Sequence, residues 1–538
     1  MGNEVHADVI GDAARRDRQL SVPRLPVLRI GVRLREAGDV VVLDGADRPQ
    51  VFTGRFAREM LATLAALCDG TRDHAAIATE LGLPEEAVHK AVTLMWSVGA
   101  LEEHRPGGAG GGLPPELICA LSRLGNSTGT NASWADAAER LASRTVTLVG
   151  DTALVAATRE LLSGVCSLRD DPASGDAAGG DLVVAFSTGG DDGLAERARR
   201  WWREGRPLLL VRADARTAAV GPVIDRSFSP CLECVLSGAG NLGGEVPRHS
   251  VDLVAGMAGH HVVALLSRSW ATFLPLDVCE IDLTTLRTAY RSPATRPGCP
   301  SCSFVSGPVA PKAPDSAVYE AAVALPPYDY FDPKGLRGHY HASNIRLPFE
   351  FRSWPSATRF ELPPVEMDRL SAGPPEQDTG MSGGDLSVIL KMGFGIRDET
   401  LTADRVARWT ASAANIGSAI AYVVSRDESI LPEGVYAYVD RDHQLARITR
   451  EVVPGKGRVG LVVTANLSKS VKKYGAFGLR LCWLDAGCAL STVRAVCRGL
   501  GVPYRPVPDW DDGVLHEVLG TSPAREPVAA VMELGMRS

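Results

Sequence analysis

The sequence predicts a multidomain chain of mixed α/β and α+β class, and three observations lead there. Its 538 residues suggest roughly two to four domains, since one hydrophobic core rarely serves so long a chain. A run rich in glycine, Pro106-Gly107-Gly108-Ala109-Gly110-Gly111-Gly112, separates a first module from the rest and is flexible by composition. Beyond it, strand-like and helix-like runs alternate from Thr145 to Val211, the pattern of a parallel sheet with crossover helices. A hydrophobic content of 45% and a charged content of 22% are ordinary for a globular chain. A net charge of −7 argues against a general nucleic-acid binder. No apolar run approaches transmembrane length, and MGNEVHADVIGDAARRD lacks a signal peptide's apolar stretch. A cytoplasmic location with no membrane partner is expected. Eleven cysteines in so long a chain do not make a disulfide framework, and two CxxC pairs point to metal.

Residues 22–103 read as a small module of three strands and three helices. Val27 to Val32 and Val40 to Leu43 are strands around the turn Glu36-Ala37-Gly38-Asp39, and Pro49 to Phe52 is a short third strand. Thr53 is a candidate N-cap for a helix whose apolar face is Phe56, Met60, Leu61, Leu64 and Leu67. Two more helices follow, from His74 to Leu81 and from Pro84 to Val98. This composition fits a winged helix. As a reader of DNA it is poorly equipped, because its last helix opens with Glu85-Glu86 and has only Lys90 as a firm cation.

Residues 144–305 carry the alternating pattern. A dinucleotide site would need GxGxxG after its first strand. Gly150-Asp151-Thr152-Ala153 offers one glycine and a carboxylate where phosphate would sit, so nucleotide binding is not expected. Cys231-Leu232-Glu233-Cys234 and Cys299-Pro300-Ser301-Cys302 suit a four-thiolate structural zinc site. A lone CxxC could be a redox pair; two favour zinc. His260 and His261, on the helix between them, read as packing or surface residues.

In residues 340–538, after a connector rich in Pro and Tyr (306–345), a short helix spans Asp385 to Met392. The stretch Ser371 to Gly384 is a loop. Arg408-Trp409-Thr410-Ala411-Ser412-Ala413-Ala414-Asn415 offers a cation, a hydroxyl and an amide on a loop opening a helix, suitable for a flavin phosphate and ring edge. Equally, Arg408 could be a surface residue and Ser412 an N-cap. A strand at Leu461 to Thr464 precedes a polar segment with Lys472, Lys473 and Tyr474. Helical spacing of Leu484, Leu490, Val493, Val496 and Leu500 then runs to Gly501.

Five stretches carry resemblances. KKYGAFGLRLCWLDAGCALSTVRAVCRGLGV, RWTASAANIGS and LPEGVYAY resemble the flavin-dependent azoline dehydrogenases of thiazole/oxazole-modified peptide pathways, a nitroreductase-like branch. Lys473, Tyr474, Gly475, Gly478, Arg480, Arg408, Ser412, Tyr436, Tyr438 and His443 match. Ala411 and Ala414 stand at that family's proline and glycine, and Cys488, Ser491 and Thr492 at its His, Gln and Asn. PLLLVRADARTAAVGPVIDRSFSPCLEC resembles the ThiF-like fold, and residues 22–103 resemble a leader-peptide recognition element. There the leader adds a strand to the sheet edge, here between Pro49–Phe52 and Val88–Met95.

The resemblance implies FMN-dependent oxidation of peptide thiazolines or oxazolines to azoles by a zinc-clamped, leader-binding chain. It makes Lys473 and Tyr474 the essential pair without assigning the base between them. It places Arg359, Arg408, Ser412, Asn415 and Arg480 near FMN, and Cys231, Cys234, Cys299 and Cys302 on zinc. The implied partners are a precursor peptide with leader and azoline-bearing core, a separate cyclodehydratase and a second copy in a homodimer. The alternatives are a non-catalytic scaffold delivering precursor to a cyclodehydratase, and a nitroreductase-like enzyme acting on small molecules.

Overall fold

The structure, a computed structural model, describes residues 4–106, 112–170, 180–189, 193–240, 244–373, 380–402 and 405–536. Most of the glycine-rich linker and part of the Ser371–Gly384 loop lie outside the described residues. The chain forms two compact units, Glu4–Tyr340 and His341–Ser538.

In the first unit, strands Arg33–Ala37, Val40–Asp44 and Gln50–Phe52 form an antiparallel sheet in that order. The pairing Ala37↔Val40 leaves Gly38-Asp39 as a two-residue turn. Helices Arg55–Leu67, His74–Leu81 and Glu85–Ser97 pack against it. Two expectations need correction. The strand expected over Val27–Val32 is broken: Pro26–Leu28 pairs instead with Leu101–Glu103, and the chain turns at Arg29, whose guanidinium makes a buried ion pair with Glu102 at 3.2 Å. Gly54, not Thr53, is the first helix's N-cap.

A helix not expected from the sequence, Ala7–Arg16, packs on Glu85–Ser97. It buries Ile10, worth about 1.5–3 kcal/mol, and brings Asp8 within 3.0 Å of Lys90. That leaves the last helix no free cation for a phosphate backbone. The connector closes the module from the far side. Arg337 lies 4.0 Å over the Trp96 ring and donates to Asn126 Oδ1 at 2.7 Å, while Lys334 pairs with Asp47 at 2.7 Å.

The same unit holds a seven-stranded sheet in the order Thr288–Arg291, Val278–Asp282, Thr217–Ile224, Leu208–Ala213, Leu182–Ser187, Thr145–Gly150, Ser167–Asp170. The last four strands are parallel and the others antiparallel. After Thr145–Gly150, the Asp151 carboxylate accepts from the amides of Ala153 and Leu154 at 3.0 Å. It occupies the helix terminus where a nucleotide phosphate would bind. Helix Arg248–Ser267 is the one described helix long and apolar enough to cross a membrane, and it buries Val254, Ala258 and Val262 in the core beside the sheet. His261 packs on Phe273 at 4.5 Å, and burial lowers its pKa to about 4.

The second unit is one antiparallel seven-stranded sheet: Arg359–Glu361, Gln444–Thr449, Gly434–Val439, Ala419–Ser425, Gly457–Ala465, Val528–Met536, Tyr504–Val507. Gly383–Phe394, capped by Ser382 and Asp385, and Phe477–Leu500 cover one face. The long helix buries Cys482, Asp485, Ala486, Ala489, Val493, Val496 and Leu500. Leu484, expected on that apolar face, is 57% exposed.

Candidate functional site

The four cysteines meet in the first unit. Cys231 caps the short helix Leu232–Ser237, whose first turn holds Cys234. Cys299 and Cys302 lie on a turn that Gly298 makes possible. Its φ is +77°, and a Cβ there would come within 2.3 Å of the Pro308 carbonyl oxygen. All four sulfurs lie within 4.8 Å of one another, with Cys231–Cys299 at 3.7 Å and Cys302 at 3.6 Å from both Cys231 and Cys234. A tetrahedral ion with bonds near 2.3 Å would set sulfurs roughly 3.8 Å apart, so the donor set and spacing fit zinc. A disulfide would need about 2.05 Å. The Arg296 amide reaches Cys234 Sγ at 3.5 Å, an outer-sphere donor for a thiolate.

In the second unit, Lys473 and Tyr474 end the helix Leu467–Tyr474, whose N-cap is Asn466. The polar segment that holds them is therefore helical. Both side chains are half-buried, and Lys473 Nζ lies 5.5 Å from the Tyr474 ring. Burial lowers the pKa of Lys473. Burial, with Asp485 adding to it, raises that of Tyr474. The pair thus holds a phenol that keeps its proton and an amine moved toward its neutral form. Lys472 points away and pairs with Glu350 at 2.7 Å on the surface. Arg480, one turn into the next helix, lies 5.9 Å from the Phe477 ring, which itself neighbours Tyr474.

The residues expected at the flavin phosphate do not converge as a set. Arg408, Ser412 and Asn415 share one loop, but their polar groups face the chain. Arg408, 6% exposed, donates to the carbonyls of Asn415 at 2.9 Å and Pro348 at 3.2 Å and faces Asp440 at 3.7 Å. Ser412 Oγ accepts from the Gly417 amide, and Asn415 Nδ2 donates to the Val406 carbonyl. Gly417, at φ +69°, is required there, since a Cβ would meet Arg408 Nε at 2.1 Å. The loop forms a 3₁₀ turn, Ala413–Asn415, leading into a strand and not a helix. Arg359 lies on the edge strand, three strands from Ala419–Ser425, with Nη1 buried and unpartnered.

Sequence reasoning assigned no role to four residues that organise this region. Lys469, 4% exposed, donates to the Ile416 carbonyl at 2.6 Å, and burial lowers its pKa to about 8. Asp440, facing Arg408 and Lys469, is raised by burial. Asp485 accepts from the Ala413 amide at 2.8 Å and the Ser418 hydroxyl at 2.6 Å, tying the loop to the long helix. Arg352 pairs with buried Glu526 at 3.1 Å. Arg352, Asn466, Lys469 and Asp440 line one small pocket, and Arg408, Ser412, Asp440 and Asp485 its neighbour. Each holds about 20 Å³, the room of about one water. The faint signal was spacing: Lys469 lies one helical turn before Lys473.

No protein-family model matches the chain. Over 148 residues, 25% of this chain and 72% of the relative, it is 26% identical to a Methanocaldococcus jannaschii protein named "Putative nitroreductase". Among solved structures it is similar to a heterocyclase in complex with substrate and cofactor (TM-score 0.41, 16% identity, 60% of this chain and 44% of that one). It is similar also to MccB of E. coli (0.41, 12%, 52% and 97%) and to the heterocyclase TruD (0.41, 17%, 76% and 62%). The chain thus spans less than half of the first heterocyclase. Superpositions this partial carry neither fold nor function.

Proposed function

We propose that this chain is an FMN-dependent azoline dehydrogenase that oxidises thiazolines or oxazolines in a leader-bearing peptide. The observation that carries this reading is the Lys473–Tyr474 pair, an amine and a phenol at one helix end whose pKa values burial moves in opposite directions. General bases work best when tuned toward the working pH. Lys473 is the group so tuned, and we assign it the proton of the ring carbon beside the carbonyl. Tyr474, still protonated, donates a hydrogen bond to the substrate.

A bound flavin would supply the acceptor for the departing hydride. The donors around one pocket are Arg352, Asn466 and Lys469, with Arg352 also paired to Glu526 and Lys469 to the Ile416 carbonyl. Arg408, Ser412 and Asn415 support the loop from beneath. Trp483 and Leu484, exposed on the long helix, are the surface on which we place a homodimer contact. The edge strand Gln50–Phe52, with Val51 61% exposed, is open to pairing with a leader strand. The four cysteines hold a structural zinc with no position left for water.

The test is the visible spectrum of the purified chain, with the released cofactor identified by mass. Stoichiometric FMN supports the reading. A protein that stays colourless after incubation with FMN sinks it and leaves the delivery scaffold, which the internally engaged Arg408 loop would then explain.

A further inference from the structure

A cavity of about 720 Å³ opens in the first unit beside the four-cysteine centre, within the size range of ligand sites. It lies away from the nucleotide end of the sheet. Part of its lining, Arg226 to Pro230, comes just after strand Thr217–Ile224 in the chain, and the last residue of that strand pairs with Leu208 at the start of a parallel strand. Nucleotide sites of such sheets form at the opposite, carboxyl ends. Trp202, Phe228, Leu276 and Ala294 are among its apolar lining.

Its rim carries Arg203 and Arg226. Arg226 Nη1 donates to the backbone carbonyl of Arg203 at 3.2 Å and Arg203 Nε to that of Arg199 at 3.3 Å, and both residues are exposed. Among the described residues, neither has a carboxylate within ion-pair distance. Glu320 also lines the cavity, so its charged lining is two arginines to one carboxylate, an excess that favours an anion in a chain of net charge −7. One wall is the helix Asp315–Ala322, which buries none of its residues. Phe304 on the cavity lining is exposed, as are Val305, Val318 and Leu325 on the segments that bound it. Exposed apolar surface that outruns a pocket calls for an extended occupant.

We infer that this cavity and its arginine rim bind an extended peptide segment with acidic side chains alternating with apolar ones. The carboxylates would meet Arg203 and Arg226, and the apolar side chains would enter against Trp202 and Phe228. This site is separate from the edge strand Gln50–Phe52 and does not rest on the flavin reading. A colourless protein can bind the peptide, and a flavoprotein can fail to.

The probe is a fluorescein-labelled hexapeptide, Glu-Leu-Glu-Phe-Glu-Leu, titrated with the full chain and followed by anisotropy and by quenching of tryptophan emission. The expected result is saturable binding that weakens with salt. It should fall at least tenfold in the double variant Arg203→Ala/Arg226→Ala and be absent for the peptide with lysine in place of glutamate. Ala321→Trp, which fills the cavity from the exposed helix, should abolish binding with an unchanged melting temperature. It decides the matter should the arginine variant misfold. Equal binding of the acidic and basic peptides, undiminished binding by the variants, or binding of AMP where the peptide does not bind would each overturn the inference.

Discussion

Cys231, Cys234, Cys299 and Cys302 turn their sulfurs toward a common centre, whereas Arg408, Ser412 and Asn415 turn their polar atoms onto the chain's own backbone. Both sets were chosen from the sequence by the same logic, side chains of suitable chemistry in a suggestive pattern. The difference lies in range. A CxxC knuckle sets its two ligands by local turn geometry, so spacing alone predicts their meeting. An arginine reaches some 6–7 Å in several directions, on the bond lengths of its side chain, and its partner is chosen by whatever the fold brings near.

The sharpest way to break the contrast is to remove one sulfur. Cys299→Ser, or exhaustive chelation, should lower the melting temperature of the first unit by on the order of 10 °C, with bound zinc falling from one per chain to none by elemental analysis. Metal-free protein that melts as before would reduce the cluster to coincidence.

For the second site, Lys473→Met should lower kcat for azoline oxidation by about 10²–10⁴-fold with FMN content kept. Lys472→Met, which removes only a surface ion pair, should stay within about twofold. Equal losses would move the chemistry off Lys473.

If Arg408 is a structural anchor, Arg408→Ala leaves Asp440 with Lys469 alone and strips two carbonyls of their donor, and it should cost about 3 kcal/mol in urea unfolding. A stable variant that merely loses FMN would restore the phosphate role.

Lys469 provides a pH test of the same region. Its pKa is lowered to about 8 in the folded chain from 10.5. Between those values the unfolded chain binds the extra proton, so stability rises with pH, and below pH 8 the slope vanishes. The rise amounts to at most about 3 kcal/mol. Wild type and Lys469→Met, unfolded at pH 8 and pH 10, should differ by that slope; parallel profiles would show a solvated amine.

The smallest effect is at Ala414. It has φ +46°, a left-handed conformation costly for a residue with a Cβ, at the position where the resembled family has glycine. Ala414→Gly should stabilise by about 1 kcal/mol, read as a shift in the urea midpoint.

What was legible followed from local rules. The helix expected from His74 to Leu81 has those bounds, because Asp73 caps it and Gly82 ends it in a left-handed turn. Helix Phe477–Leu500 was visible from its apolar period, although Leu484 faces outward because the packed stripe runs through small residues such as Ala486 and Ala489. Helix Ala7–Arg16 was not legible, since its stripe is thin and its fit depends on Gly11 lying against Lys90, eighty residues on. Lys469 was passed over as one more polar residue, because its burial is set by Asp440 and the Ile416 carbonyl, far away in sequence.

The clamp of Arg337 on Trp96 bears on the order of synthesis. A ribosome delivers the small module of residues 22–103 before the pieces that cover its flank, Lys334 and Arg337, which arrive more than two hundred residues later. At about 5–20 residues per second the wait is roughly 10–50 s. For that time the Trp96 ring and the Asp47 carboxylate stand uncovered on a nascent chain. A fragment cut at Glu103 would keep them so permanently, which makes Tyr340 the sensible end for any soluble piece meant to bind peptide.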